Sequence, residues 1–373
     1  MKVIFVWRGP SPYRVDFFNE LGKLCDLTVL FEMKPKDITD KNKSWFNEQY
    51  INFNAIFLKG LNLFGKIWFC YDILDYVKEM KKSDIIVVGM YSTMTQLLLL
   101  LYLKLHRINY ILNSDGGFIK HENSLVRFLK RFFIGGAKAY LSSSKGTNKY
   151  LRYYGAKSEI GLYPFTSAFK SEIEQKSNIG NKTELKKQLG IVEKTSILFT
   201  GQFIHRKGID ILLKACVGLP DNCGVYIVGG IPTAEYISII EQLKLKNIHF
   251  VSFKPPKELH YYYGATDIYV LPTREDIWGL VINEAMSYGL PVITTDSCLA
   301  GIELVQDGVN GFIVKTDNVE QLSKRIKQLI NNKELRLKMG ENNKLKMRDY
   351  SIENMALAHW TFFTTLIKIE ENG

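Results

Sequence analysis

Short apolar runs rich in β-branched and aromatic residues alternate along this chain with longer mixed segments. Val3–Trp7, Asp26–Phe31, Ile56–Leu58, Ile85–Val88, Tyr110–Asn113 and Ala139–Ser142 read as strands. The segments near 13–24, 68–81, 93–106 and 122–134 read as helices. Such alternation predicts a parallel sheet with helices on both faces. A polar stretch from Lys170 to Lys194 interrupts the pattern and reads as a linker holding a short helix. The alternation then restarts, with strands at 196–200, 224–228, 249–251, 267–271 and 292–295 and helices over 208–217 and 279–288. Gly289 stops the second of these helices and Pro291 prevents its continuation. The expected organisation is a first domain over 1–170, a linker over 171–194, a second domain over 195–350, and a final helix over 351–373 with the first domain as its packing partner. Its 373 residues exceed one ordinary core and suit two. The fold class is therefore α/β, with two Rossmann-like doubly wound domains facing across a cleft. Such sheets bind ligands at the carboxyl ends of their strands.

Composition narrows the chemistry. Ile85 to Leu103 carries no charge and is long enough to span a bilayer. Gly89, Ser92, Thr93, Thr95 and Gln96 split it, however, into a strand and a helix from Thr93 to His106. The apolar start is cut short by Arg8, so no export signal is expected and the reading is of a cytoplasmic protein. Five scattered cysteines show no metal spacing and read as small buried thiols. The histidines (His106, His121, His205, His249, His260 and His359) show none either, and no metal site is expected. Residues 1–180 hold 26 Lys+Arg against 16 Asp+Glu, whereas the remainder holds 23 against 22. A basic first half suits an anionic ligand or surface. No nucleic-acid module accompanies it, so nucleic acid is not expected as a partner.

Two loops carry the candidate chemistry. In Pro272–Pro291, PTREDIWGLVINEAMSYGLP, a strand and a short loop lead into a helix. Backbone N–H groups near Trp278, Gly279 and Leu280 at that helix start lack helical partners and suit a phosphate. Gly279 would let the backbone approach the ligand closely. Asp276 and Glu284, eight positions apart, suit sugar hydroxyls; the bland alternative is a pair of solvated acids near a helix N-terminus. The second loop, Gly201–Gly208, also follows a strand and opens a helix, and Arg206 and Lys207 offer fixed positive charge for a diphosphate.

The stretch resembles the signature of glycosyltransferase family 4, of GT-B fold, through Gly279, Glu284, Ala285, Met286, Gly289 and Pro291. The resemblance implies that the first acid contacts the donor sugar. That register holds Asp276, with Glu275 beside it, and Glu284 would bind the ribose. Gly201–Gly208 is similar to the family's diphosphate-binding loop, with Gln202 where Arg is frequent, so Arg206 and Lys207 carry more of the charge. In the first half, the loop Arg8-Gly9-Pro10-Ser11-Pro12-Tyr13-Arg14 lies where GT-B enzymes place a segment against donor phosphates and acceptor, which makes Gly9 a donor-binding candidate. Asp115, flanked by glycines, takes the place of a frequent His near the transferred sugar. The resemblance implies retaining, metal-independent transfer from a nucleotide diphosphate sugar to a glycan or lipid-linked glycan, with no cofactor. Alternatives are a nucleotide-sugar epimerase, an inverting GT-B transferase or a non-catalytic nucleotide-sugar binder.

One helix adds a location. Leu125, Phe128, Leu129 and Phe132 form a stripe at helical spacing, interleaved with Arg127, Lys130 and Arg131 after Lys120. Either the stripe packs on the sheet and the basic face is solvated, or it contacts an anionic membrane. The expectation is salt-sensitive peripheral contact at the inner face of the membrane.

Overall fold

A computed structural model describes residues 1–35, 49–63, 67–89 and 91–372. The chain divides into two compact units, Met1–Ala168 with Ser351–Gly373, and Phe169–Tyr350.

The first unit is built on seven strands: β1 (Lys2–Trp7), β2 (Asp26–Phe31), β3 (Asn54–Phe57), β6 (Ile85–Val88), β7 (Ile111–Ser114), β8 (Ala139–Ser142) and β9 (Ile160–Leu162), with β4 (Gly60–Leu63) and β5 (Ile67–Cys70) forming a separate antiparallel ribbon. The sheet order is β3-β2-β1-β6-β7-β8-β9, and all its pairings are parallel. β6, β7 and β8 are buried throughout. Helices cover both sheet faces, so these strands read as continuous apolar runs and not as alternation. The order reverses between β1 and β6, which makes their carboxyl ends the topological switch point.

Several expectations change. The segment 68–81 is not one helix. Its start lies in β5, where Ile67, Trp68 and Phe69 favour a strand, and a 3-10 turn Ile73–Tyr76 and a short helix Val77–Met80 follow. Asp72 closes the ribbon by accepting the Lys59 N–H at 3.0 and 2.9 Å. The stretch 171–194 is not a loose linker. It holds helices Lys170–Ser177 and Lys182–Leu189 within the second unit. Lys182 and Lys186 anchor it by reaching the Asp267 carboxylate at 3.1 and 2.9 Å, a partner too distant in sequence to be anticipated. Residues 85–103 resolve into β6 and the helix Met94–Leu105. No helix among the described residues is long and apolar enough to cross a membrane.

The final helix Ile352–Asn372 belongs to the first unit. Its His359 ring lies 4.6 Å from Phe17 and 4.5 Å from Tyr163, and burial pulls its pKa down to about 3. Cys70, Cys216, Cys223 and Cys298 are buried free thiols.

The second unit repeats the scheme with β10 (Thr195–Thr200), β11 (Cys223–Val228), β12 (Ile248–Val251), β13 (Ile268–Leu271), β14 (Val292–Thr295) and β15 (Gly311–Val314), in the parallel order β12-β11-β10-β13-β14-β15. Its switch point falls between β10 and β13.

Candidate functional site

The two singled-out loops leave the carboxyl ends of β10 and β13, the strands that flank this switch point. They are zipped together by their backbones. Arg274 N–H and the Thr273 hydroxyl both donate to the Arg206 carbonyl, at 2.8 and 2.9 Å. The contact is close enough to require glycine. Gly208 has φ +70°, and a Cβ there would lie 2.0 Å from the Pro272 carbonyl oxygen.

Arg274 completes the clasp. Its guanidinium donates twice to the Asp210 carboxylate, at 2.8 Å each, and once to the His205 carbonyl at 2.7 Å. Nε meets Asp317 at 2.7 Å. Burial alone would raise the Asp210 carboxyl, but the Arg274 hydrogen bonds and charge outweigh it and hold that carboxyl below its usual range. Arg274 escaped the sequence reading because a lone Arg before an acidic pair reads as solvated; its partners Asp210, His205 and Asp317 all lie far away in the chain.

Within this frame three of the expected residues converge. Lys207 Nζ contacts Asp276 Oδ2 at 2.5 Å, with both side chains mostly buried. Arg206 Nη1 lies 3.7 Å from Asp276 Oδ1 and donates to the Glu275 carbonyl at 2.5 Å. Asp276 is itself fixed by its backbone: its N–H donates to the Ser297 carbonyl at 2.8 Å, and its carbonyl accepts from Leu299 N–H at 3.1 Å. An ammonium carries three donors, so one contact with Asp276 aims Lys207 without exhausting it.

The helix Leu280–Ser287 begins beside Asp276. Gly279 caps it with φ +94°, and a Cβ there would stand 3.0 Å from Cys298 Sγ and 3.4 Å from Asp276 Oδ2. Leu280 is its first residue, where a backbone N–H has no acceptor within the helix. Trp278 is buried, with Nε1 donating to Asn283 Oδ1 at 2.9 Å and its carbonyl accepting from Ala300 N–H at 2.9 Å. Its side chain therefore forms floor, and the indole N–H is already spent. Glu284 is half-buried and accepts the Tyr263 hydroxyl at 2.7 Å. Burial raises its carboxyl, opposed by that hydrogen bond. Tyr263 in turn shares hydrogen bonds with Thr200 at 2.8 Å, and Thr200 with Tyr269 at 3.0 Å. This chain of hydroxyls ties Glu284 to the end of β10, and no local signal in the sequence marks it.

Gly9 and Asp115 lie in the first unit, in the segments that follow β1 and β7. Asp115 is not a solitary turn acid. It pairs with the guanidinium of Arg14, accepts the Tyr163 hydroxyl at 2.7 Å and the Asn113 amide at 3.2 Å. Arg14 is fully buried, 4.3 Å from the Trp7 ring. Burial pulls its pKa down, but the Asp115 charge more than compensates, and the guanidinium stays firmly charged. Among the described residues no group of three or more His, Cys, Asp or Glu is placed to hold a metal ion.

Residues 181–346 match the family "Glycosyl transferases group 1". An uncharacterised glycosyltransferase of Haemophilus influenzae is 34% identical over 177 residues, which are 46% of this chain and 49% of that protein. The capsular polysaccharide biosynthesis glycosyltransferase CapM of Staphylococcus aureus is 27% identical over 195 residues, 51% of each. The chain thus spans about half the length of the curated relatives it matches. In fold it resembles HepE of Anabaena, solved in complex with UDP, with a TM-score of 0.75 at 16% identity over 99% of this chain and 100% of that one. The likeness establishes a GT-B fold of two Rossmann-like units.

Proposed function

We propose that this chain transfers a sugar from a nucleoside-diphosphate sugar to a hydroxyl of a glycan or lipid-linked glycan, retaining the anomeric configuration and using no metal. The observation that carries the reading is the convergence of Lys207, Arg206 and Asp276 beside the start of helix Leu280–Ser287, at the switch point of the unit that matches the transferase family. Retention is the reading suggested by the family 4 resemblance.

In the reaction the bond between the anomeric carbon and the diphosphate oxygen breaks, and its electron pair leaves with the diphosphate. The acceptor oxygen bonds to that carbon and gives up its proton to the departing diphosphate. The barrier is dominated by charge on the departing oxygen. Lys207, Arg206 and the N–H groups at Gly279 and Leu280 are preorganised to oppose it. Asp276, with Glu275 next to it, is assigned to the donor sugar hydroxyls and Glu284 to the ribose. In the first unit, Gly9 is assigned to the donor and Asp115 to the reacting sugar or the acceptor hydroxyl.

A thermal-shift panel of nucleotide sugars tests the proposal. UDP sugars head it, because the Anabaena protein was solved with UDP. A donor at 100 times its Kd should stabilise the fold by about 2.7 kcal/mol. Product analysis with supplied polysaccharide acceptors, suggested by the name of the Staphylococcus relative, then reads the transfer and its anomeric outcome. No stabilisation by any nucleotide sugar, together with no sugar transfer, refutes it.

A further inference from the structure

The helix Ser124–Ile134 is folded inside out. At about 100° per residue, Leu125, Phe128, Leu129 and Phe132 share one arc and Arg127, Lys130 and Ile134 the opposite one. A surface helix ordinarily turns its apolar arc to the core. Here only Ile134 is buried, and Leu125 is 67% exposed, Phe128 64%, Leu129 44% and Phe132 41%. The polar edge faces the protein instead. Lys130 reaches Glu122 at 2.7 Å and lies 4.9 Å from the Tyr154 ring. The neighbouring helix Met94–Leu105 adds Leu105, 73% exposed. Lys104 of that helix donates to the Phe132 carbonyl and sits 4.6 Å from its ring.

The charge around this arc has one sign. Residues 101–150 carry nine Lys+Arg and two acids, Asp115 and Glu122. Both acids are already paired, with Arg14 and Lys130 respectively. Arg131 lies exposed at the edge of the arc next to Phe128.

We propose that this arc is a docking surface for an anionic lipid bilayer, with Leu125, Phe128, Leu129 and Phe132 entering the boundary between headgroups and acyl chains and Arg131 and Lys104 meeting lipid phosphates. An amphipathic helix with basic residues beside its apolar face has the chemistry that such a surface binds. A second copy of the chain fits less well. A twofold contact would set this basic surface against itself. The four exposures together equal about two whole side chains, on the order of 400 Å², half of the roughly 800 Å² that each partner gives to a standard interface. The inference stands independently of the transfer reaction, since its readout is binding to vesicles.

The test is co-sedimentation of the full chain with vesicles of phosphatidylcholine alone or of equal parts phosphatidylcholine and phosphatidylglycerol. Binding should require phosphatidylglycerol and fall with added salt. Leu125→Gln with Phe128→Gln should cut it at least about tenfold while the melting temperature stays that of the parent, because both side chains are exposed. Arg131→Ser should weaken binding at low salt and matter less at high salt. Equal recovery in the supernatant with both vesicle types at low salt overturns the proposal. So does full binding by the Leu125→Gln, Phe128→Gln variant, which would reduce the contact to charge alone. Sedimentation of the parent as a dimer that this variant dissociates would assign the arc to a second copy and also overturn it.

Discussion

Replacing Arg274 by Met should unclasp the two site loops and destabilise the second unit. Arg274 neutralises Asp210, which is buried and is left with Lys214 at 3.8 Å as its cation once the guanidinium is gone. Breaking a buried pair by removing one partner costs about 3–5 kcal/mol. Arg274 itself keeps some exposure, so the lower end, about 3 kcal/mol, is expected. The contact with half-exposed Asp317 adds little, at most about 1 kcal/mol. The second change, Asp210→Asn, removes the charge that Arg274 compensates. The double variant should therefore lose less than the sum of the singles, with a coupling of about 1.5–3 kcal/mol. Urea unfolding of the parent, both singles and the double variant measures this cycle. Calorimetry with a nucleoside diphosphate should show weaker binding in Arg274→Met, because the Arg206 loop loses the guanidinium bond to the His205 carbonyl that positions it. A loss below about 1 kcal/mol in the single variant, or strict additivity in the cycle, would refute the reasoning.

Other outcomes follow from the same geometry. Lys207→Ala should lower kcat/KM at least about tenfold, the value of one charge-assisted hydrogen bond; an unchanged ratio in a folded variant removes Lys207 from the site. Glu284→Gln should weaken the free nucleoside diphosphate and the full donor alike, whereas Asp276→Asn should weaken only the donor, as calorimetry of the two ligands will tell; sugar-specific loss in Glu275→Gln instead would move the assignment by one residue. Asp115→Asn leaves the buried Arg14 guanidinium without its counter-charge and should cost about 3 kcal/mol of stability besides any loss of turnover, so an unperturbed melting curve contradicts the pairing. Glu32 is buried, and that burial pushes its carboxyl from 4.5 up to about 7 despite the Thr93 hydrogen bond. The unfolded chain ionises first, so this group's favourable contribution is complete below about pH 4.5 and lost as pH rises through 7, a span worth up to about 3 kcal/mol. Glu32→Gln should gain stability relative to the parent between pH 5 and 8, and a pH-independent difference in urea unfolding counts against it.

The sequence by itself determined what depends on local pattern. Apolar runs such as Ile85–Val88 and Ala139–Ser142 are strands because a parallel sheet buries both faces, and the glycines at 208 and 279 announce loop ends because their φ angles are positive. The same local logic placed Lys207, Asp276 and Leu280 at strand ends and a helix start. What it left undecided depends on partners distant in the chain. Arg274 became a clasp through Asp210 and Asp317, Asp115 a counter-ion through Arg14, and Glu284 the end of a hydroxyl chain through Tyr263. The stretch 171–194 is tied to the second unit by distant partners, Asp267 for its lysines and the Ser287 carbonyl for Ser177. The helix Ser124–Ile134 shows the division most sharply. Its amphipathic period is written in eleven residues, but periodicity has no sign of direction. Which arc meets the protein was settled by Glu122 and Tyr154 holding Lys130, and that left the phenylalanines facing outward.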